Sequence, residues 1–173
     1  MRFIHLLSCG GTMEKIYSER TGSVENIEDK VVRYLDRLRL PETHVETTRL
    51  MNKDSLDMND ADRHIVLDAV RTKLSERAAP IVITHGTDTM VETGMCLKRS
   101  LPELSVPIVL TGAMTPLGFE NSDGLQNLTE SLFAAHLLPA GVWLVMHNNV
   151  FPIDAVRKDR TLARFVSTQQ PLA

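Results

Sequence analysis

Pro80-Ile81-Val82-Ile83-Thr84-His85-Gly86-Thr87-Asp88-Thr89 is the stretch on which the fold turns. Its first five residues are apolar or β-branched without alternation, as in a strand buried on both faces. The next five are turn and helix-capping types, and a helical segment follows through Leu101. Strand, loop and helix in that order make one βα unit. Downstream the unit repeats: Val106 to Leu110 reads as a strand, Thr111-Gly112-Ala113-Met114-Thr115-Pro116 as its loop, and a helix after Ser122 and Asp123 carries Leu128, Leu132 and Ala135. Gly141 to Met146 closes the series.

Upstream, Phe3 to Ser8 reads as the first strand, turning sharply at Cys9-Gly10-Gly11-Thr12. Polar residues run on to about Asn26, and no element fits them. Ile27, Val31, Val32, Leu35 and Leu38 then recur at helical spacing until Pro41, and His44 to Leu50 gives a weaker strand. A helix capped by Asn59 or Asp60 carries Ile65, Val66, Ala69, Val70 and Leu74 as one stripe. The fold class expected is α/β, a mostly parallel sheet flanked by helices on both faces. There is no linker, low-complexity tract or further repeat, so residues 1–173 are expected to form one domain, with only the last few as a tail.

Composition narrows the function. The chain has 173 residues, 43% of them hydrophobic, enough for a core of ordinary size. A net charge of −3 without a basic block, and only 5% aromatic residues, argue against a nucleic-acid partner. Two cysteines, Cys9 and Cys96, make no disulfide framework, and six histidines show no zinc-like spacing, so neither a disulfide nor a metal is expected. Leu6-Leu7-Ser8-Cys9 is better read as a strand than as a lipoprotein cleavage site, and every apolar run is too short to span a bilayer. A reduced, cytoplasmic setting away from membranes follows as an expectation.

In open α/β sheets ligands sit beyond the carboxyl ends of the strands. The residues there are rich in hydroxyls: Thr12, Ser55, Thr87 with Asp88, Thr111 to Thr115, and Lys158 shortly after the fifth strand. A threonine becomes a useful nucleophile only when something accepts its proton, and a lysine held partly neutral can do so. Asp88 would orient Lys158 and receive a positive group of the substrate, while Gly11 and the backbone of Gly112, Ala113 and Met114 would face a scissile amide. Plainer readings exist for each. Thr87, Thr89 and Asp88 would serve as helix caps, Lys158 would belong to a solvated run, Arg157-Lys158-Asp159-Arg160, and His85 would be a hydrogen-bonded structural residue. Gly10-Gly11-Thr12 would then be only a tight turn, since it lacks the further glycines or Gly-Lys-Ser/Thr of a nucleotide loop.

Taken together, Gly10-Gly11-Thr12-Met13, Ser55-Leu56-Asp57-Met58, His85-Gly86-Thr87-Asp88-Thr89, Thr111-Gly112-Ala113-Met114, Ser122-Asp123-Gly124 with Asn127-Leu128, and Val156-Arg157-Lys158 resemble segments of the bacterial-type L-asparaginase and glutaminase family. Their order and spacing agree over nearly the whole chain. The resemblance implies a flavodoxin-like N-terminal domain that hydrolyses a side-chain amide through a threonine-bound acyl intermediate, with no cofactor. Thr12 would be the nucleophile, Thr87 the second catalytic hydroxyl, Lys158 its base partner, and Asp88 the group holding Lys158 and the substrate amino group. Ser55 would bind the α-carboxylate, with Gly11 and Ala113 also at the substrate. The stretch from Met13 to about Val24 is similar in place to the family's lid, with Tyr17 as the tyrosine that activates Thr12.

Three departures bear on specificity. Relatives continue into a smaller second domain where this chain stops, near Pro171-Leu172. Leu56 replaces a polar residue beside the substrate serine, and the interval from Lys158 to Phe165 is short. The expectation is an amidohydrolase for L-asparagine, with L-glutamine a poorer substrate, working as a homodimer or higher homo-oligomer. Its rivals are a non-catalytic amino-acid-binding module and an amidase for another small amide.

Overall fold

In a computed structural model, which describes residues 1–26 and 30–169, six strands form one sheet. In chain order the elements that position the site are β1 (Arg2–Gly10), β2 (Lys15–Ser18), β3 (Ser23–Asn26), α1 (Lys30–Leu35), β4 (Thr43–Lys53), α2 (Asp60–Glu76), β5 (Ile81–Thr84) and α3 (Met90–Ser100). They continue with β6 (Pro107–Thr111), α4 (Gly124–Ala134), β7 (Gly141–Met146), β8 (Asn149–Pro152), β9 (Val156–Asp159) and β10 (Arg164–Ser167). The main sheet runs β4-β1-β5-β6-β7-β8, parallel throughout except for β8, which returns antiparallel on β7.

Counting only the parallel strands by their place in the chain, the order is 2-1-3-4-5, the flavodoxin-like winding. From β1 the chain crosses outward to β4, then back across to β5. The loops leaving β1 and β5 therefore depart in opposite directions and leave a crevice between them.

The continuous apolar strands are explained by burial on both sides. Ile81, Ile83, Ile108, Leu110 and Leu144 pack with Val66, Val70, Met90 and Leu97 of α2 and α3. Val82, Val109 and Val145 point the other way, onto Val31, Leu128 and Leu132 of α1 and α4. The helix after Asn59 starts in a capping box: Asn59 accepts the Asp62 N–H at 3.2 Å, and Asp62 accepts the Asn59 N–H at 3.0 Å.

Several sequence expectations need correction. The polar stretch after Thr12 is not featureless: Lys15–Ser18 pairs antiparallel with Ser23–Asn26 as a two-stranded hairpin. The expected helix from Ile27 to Leu38 is cut to Lys30–Leu35 within the described residues, and its start at Ile27 lies outside them. Its end tightens into bonds from Arg37 N to Tyr34 O and from Leu38 N to Leu35 O, a 3₁₀-like finish. After β7 the chain adds β8 and then the β9–β10 ribbon, so Lys158 stands on a strand and not in a loop. Among the described residues no helix is long and apolar enough to cross a membrane.

Candidate functional site

The crevice between β1 and β5 is built by loops in close contact, which is why they need glycine. At Gly11, with φ +76°, an added Cβ would lie 2.4 Å from the Gly86 nitrogen, and at Gly86 it would lie 2.5 Å from the Ser55 Cβ and Oγ. The loops leaving β1, β4 and β5 are thus in backbone contact, bringing Thr12, Ser55 and Thr87 to one place.

Lys158 reaches this crevice from β9, which Val156 and Phe165 anchor in the core. Its Nζ donates to Thr87 Oγ1 at 2.7 Å and to Asp88 Oδ1 at 3.0 Å. The Thr87 and Lys158 side chains are both largely shielded, with Lys158 17% exposed, so the solvated-run reading of Lys158 fails. The capping reading of this loop also fails. Thr89 stands at the start of α3 without a side-chain cap, and its hydroxyl instead donates to Ser55 O at 2.8 Å, tying the two loops together. Arg160, two residues beyond Lys158, puts Nη2 2.9 Å from the same Asp88 Oδ1.

Ser55 is buried, and its Oγ has no hydrogen-bond partner among the described residues. Thr12 opens the 3₁₀ turn Thr12–Glu14, held down by fully buried Met13. Tyr17 lies out on the hairpin, 58% exposed, and its hydroxyl bonds to none of the described residues, Thr12 included. Thr12 and Tyr17 are thus on neighbouring elements without a hydrogen bond between them.

The hairpin is anchored at its root by charge. Buried Glu14 accepts from Ser8 Oγ at 3.1 Å and from the N–H groups of Lys30 and Val31. The Lys30 ammonium donates to Lys15 O at 2.6 Å and to Leu117 O. Lys15 Nζ meets Asp54 Oδ2 at 2.5 Å, immediately before Ser55. Partial burial pushes the Asp54 carboxyl up, but the Lys15 ammonium and the Leu56 N–H, aided by the charge of Lys158, hold it below the usual carboxylate range.

Asp123 shapes the loop after β6. It accepts the N–H of Met114 and of Thr115, the Asn127 amide at 2.9 Å and His147 Nε2 at 2.7 Å. Burial raises its pKa, yet these donors outweigh it and keep the carboxyl below its ordinary value. Asn127 Nδ2 also holds Gly112 O at 2.9 Å. Of the three residues expected to offer backbone groups, Gly112 has its carbonyl and Met114 its N–H engaged within the protein. His85 is structural: its Nδ1 donates to Gly86 O, so neutral Nε2 accepts from Thr93 Oγ1, and burial lowers its pKa to about 4.

Sequence reasoning missed Arg160, Lys15, Asp54 and the Asp123 clamp. Among the described residues no cluster of His, Cys, Asp and Glu could hold a metal ion.

Compared with known proteins, residues 3–172 match the family model described as asparaginase, N-terminal. L-asparaginase from Thermococcus kodakarensis is 29% identical over 157 residues, 91% of this chain and 48% of that protein. Its solved structure superposes with a TM-score of 0.82 at 28% identity, covering 95% of this chain and 51% of that one. L-asparaginase I from Vibrio cholerae superposes at 0.78 with 27% identity, covering 98% and 52%. A glutamyl-tRNA(Gln) amidotransferase subunit from Methanococcus vannielii is 30% identical over 152 residues, 87% of this chain and 35% of that protein. The chain thus spans about half or less of the length of these relatives.

Proposed function

Because this chain belongs to the asparaginase family, matching its N-terminal domain, we propose that it is an amidohydrolase converting L-asparagine to L-aspartate and ammonia, with L-glutamine a poorer substrate. The observation that carries this reading is the Lys158 ammonium held on Thr87 Oγ1 at 2.7 Å and Asp88 Oδ1 at 3.0 Å at the crevice where the winding reverses. An amine fixed against a hydroxyl and a carboxylate has the parts of a base, the group it deprotonates and the group that orients it.

In this mechanism Thr12 Oγ1 attacks the side-chain carboxamide carbon. Once the hairpin folds over the crevice, the Thr12 proton passes to the Tyr17 hydroxyl as that hydroxyl gives up its own proton toward the amide nitrogen, and closure excludes water from the attack. The carbon–nitrogen bond breaks, ammonia leaves with a proton, and an ester to Thr12 remains. Water deprotonated through Thr87 and Lys158 then attacks that ester, releasing the carboxylate and restoring the Thr12 hydroxyl. Amide plus water balances to carboxylate plus ammonium, so the reaction needs no redox or group-carrying cofactor. Ser55 Oγ, without a partner among the described residues, would receive the substrate α-carboxylate, the Gly11 and Ala113 backbone would face the reacting amide, and Asp88, whose Oδ1 already meets Lys158 and Arg160, would meet the substrate ammonium at its other oxygen. The chain is further proposed to work as a homo-oligomer in a cytoplasmic setting.

The likeness to an amidotransferase component favours one second reading, in which the same hydrolytic step delivers ammonia to an acceptor on a partner protein. Ammonia release from L-asparagine, L-glutamine and simple amides by the pure chain, with Thr12→Ala and Thr87→Ala beside it, tests both. Turnover of L-asparagine lost in both variants supports the first reading. Turnover that appears only with a partner supports the second, and thermal stabilisation by L-aspartate without turnover would identify a binding module instead.

A further inference from the structure

Asp88 is the carboxylate at the mouth of the site, yet its Oδ1 already meets two cations, Lys158 Nζ at 3.0 Å and Arg160 Nη2 at 2.9 Å. The neighbouring charges do not relieve this. Asp54 is paired with Lys15, and Asp159 with Arg157. With those pairs set aside, the described residues of the crevice set Lys158 and Arg160 against Asp88. If Lys158 is protonated the site carries a surplus positive charge. If it is neutral, as a base must be, Arg160 becomes the counter-ion of Asp88. Either way an incoming ammonium meets a carboxylate whose Oδ1 is occupied and whose charge is already balanced, whereas an incoming carboxylate is attracted.

We propose that Arg160 is a specificity-determining residue that takes, on Asp88, the place of a substrate α-ammonium, so that the site also accepts the monoamide of a dicarboxylic acid lacking the α-amino group. This rests on the amidohydrolase reading and sharpens its substrate class. An amino-acid amide must displace Arg160 or bind beside it. The des-amino amide leaves the Arg160–Asp88 pair in place and keeps the carboxylate that Ser55 and the local positive charge receive. The Arg160 side chain is 71% exposed, so replacing it leaves the fold intact.

The test compares L-asparagine with succinamate, its des-amino counterpart, in the wild type, Arg160→Gln and Arg160→Lys, following ammonia. Wild type is expected to hydrolyse succinamate with kcat/KM within about threefold of L-asparagine. Arg160→Gln raises the preference for L-asparagine by about fivefold or more, chiefly through KM, and Arg160→Lys keeps the wild-type ratio. A wild type that strongly prefers L-asparagine, with a ratio unchanged in Arg160→Gln, overturns the proposal. Product binding is read in parallel by calorimetry with succinate and L-aspartate. If neither amide is hydrolysed the amidohydrolase reading fails, while the Arg160 assignment stands or falls on whether Arg160→Gln shifts the binding preference toward L-aspartate.

Discussion

Gly86 shows how tightly single residues fix this site. Its missing side chain lets the β5 loop lie on Ser55, and a Cβ there would sit 2.5 Å from Ser55 Cβ and Oγ. Gly86→Ala is expected to cost about 1–3 kcal/mol in chemical denaturation and to raise KM by displacing Ser55, with full stability and unchanged KM as the contrary result. Thr12, Ser55, Thr87 and Asp88 could be singled out in the sequence because each follows a parallel strand, and strand ends converge in this class of sheet, whereas Lys158 arrives from β9, outside that sheet. Arg160 could not, since in Arg157-Lys158-Asp159-Arg160 every residue is charged and composition alone does not say which side chains face the crevice. Nor could the sequence show that Gly112 O and Met114 N–H are spent on Asn127 and Asp123, because that depends on a partner brought in by α4.

At the scale of elements, the parallel strands could be read from their apolar runs, while the β2–β3 hairpin could not. Four-residue strands carry too little pattern, and an isolated two-stranded hairpin is barely stable in water. It holds here through Glu14, Lys30 and the Lys15–Asp54 pair, contacts between segments far apart in the chain. Lys15→Met should therefore leave global stability nearly unchanged while increasing proteolytic cleavage within 15–26 and raising KM. Equal cleavage in variant and wild type would show that the pair does not hold the hairpin. The Asp123 clamp makes a pH prediction. Its folded pKa is depressed, so its contribution is complete above the ordinary carboxylate value of about 4 and is lost as pH falls through the lower folded value. Asp123→Asn should lower the thermal midpoint at neutral pH, and the gap from wild type should narrow as pH drops below about 4. A gap constant across that range would place the stabilisation elsewhere.

At the scale of the whole molecule, the α/β class and the doubly covered sheet followed from the sequence. The added β8 and the β9–β10 ribbon did not, since their strands are as short as those of the hairpin. The antiparallel edge left by β8 adjoins exposed Phe133, Leu137 and Val150, which rim an apolar pocket of about 270 Å³. Exposed apolar surface beside a sheet edge suits self-association. Sedimentation at micromolar concentration should find a homo-oligomer, shifted toward monomer by Phe133→Glu, and an unchanged monomer in both would refute that surface. The central claim is that Lys158, Thr87 and Asp88 form a reacting centre and not a surface ion pair, and Lys158→Met tests it most directly. Ammonia release from L-asparagine should fall about a hundredfold or more in kcat, with the thermal midpoint within a few degrees of wild type. A variant that keeps kcat within about twofold of wild type would contradict it.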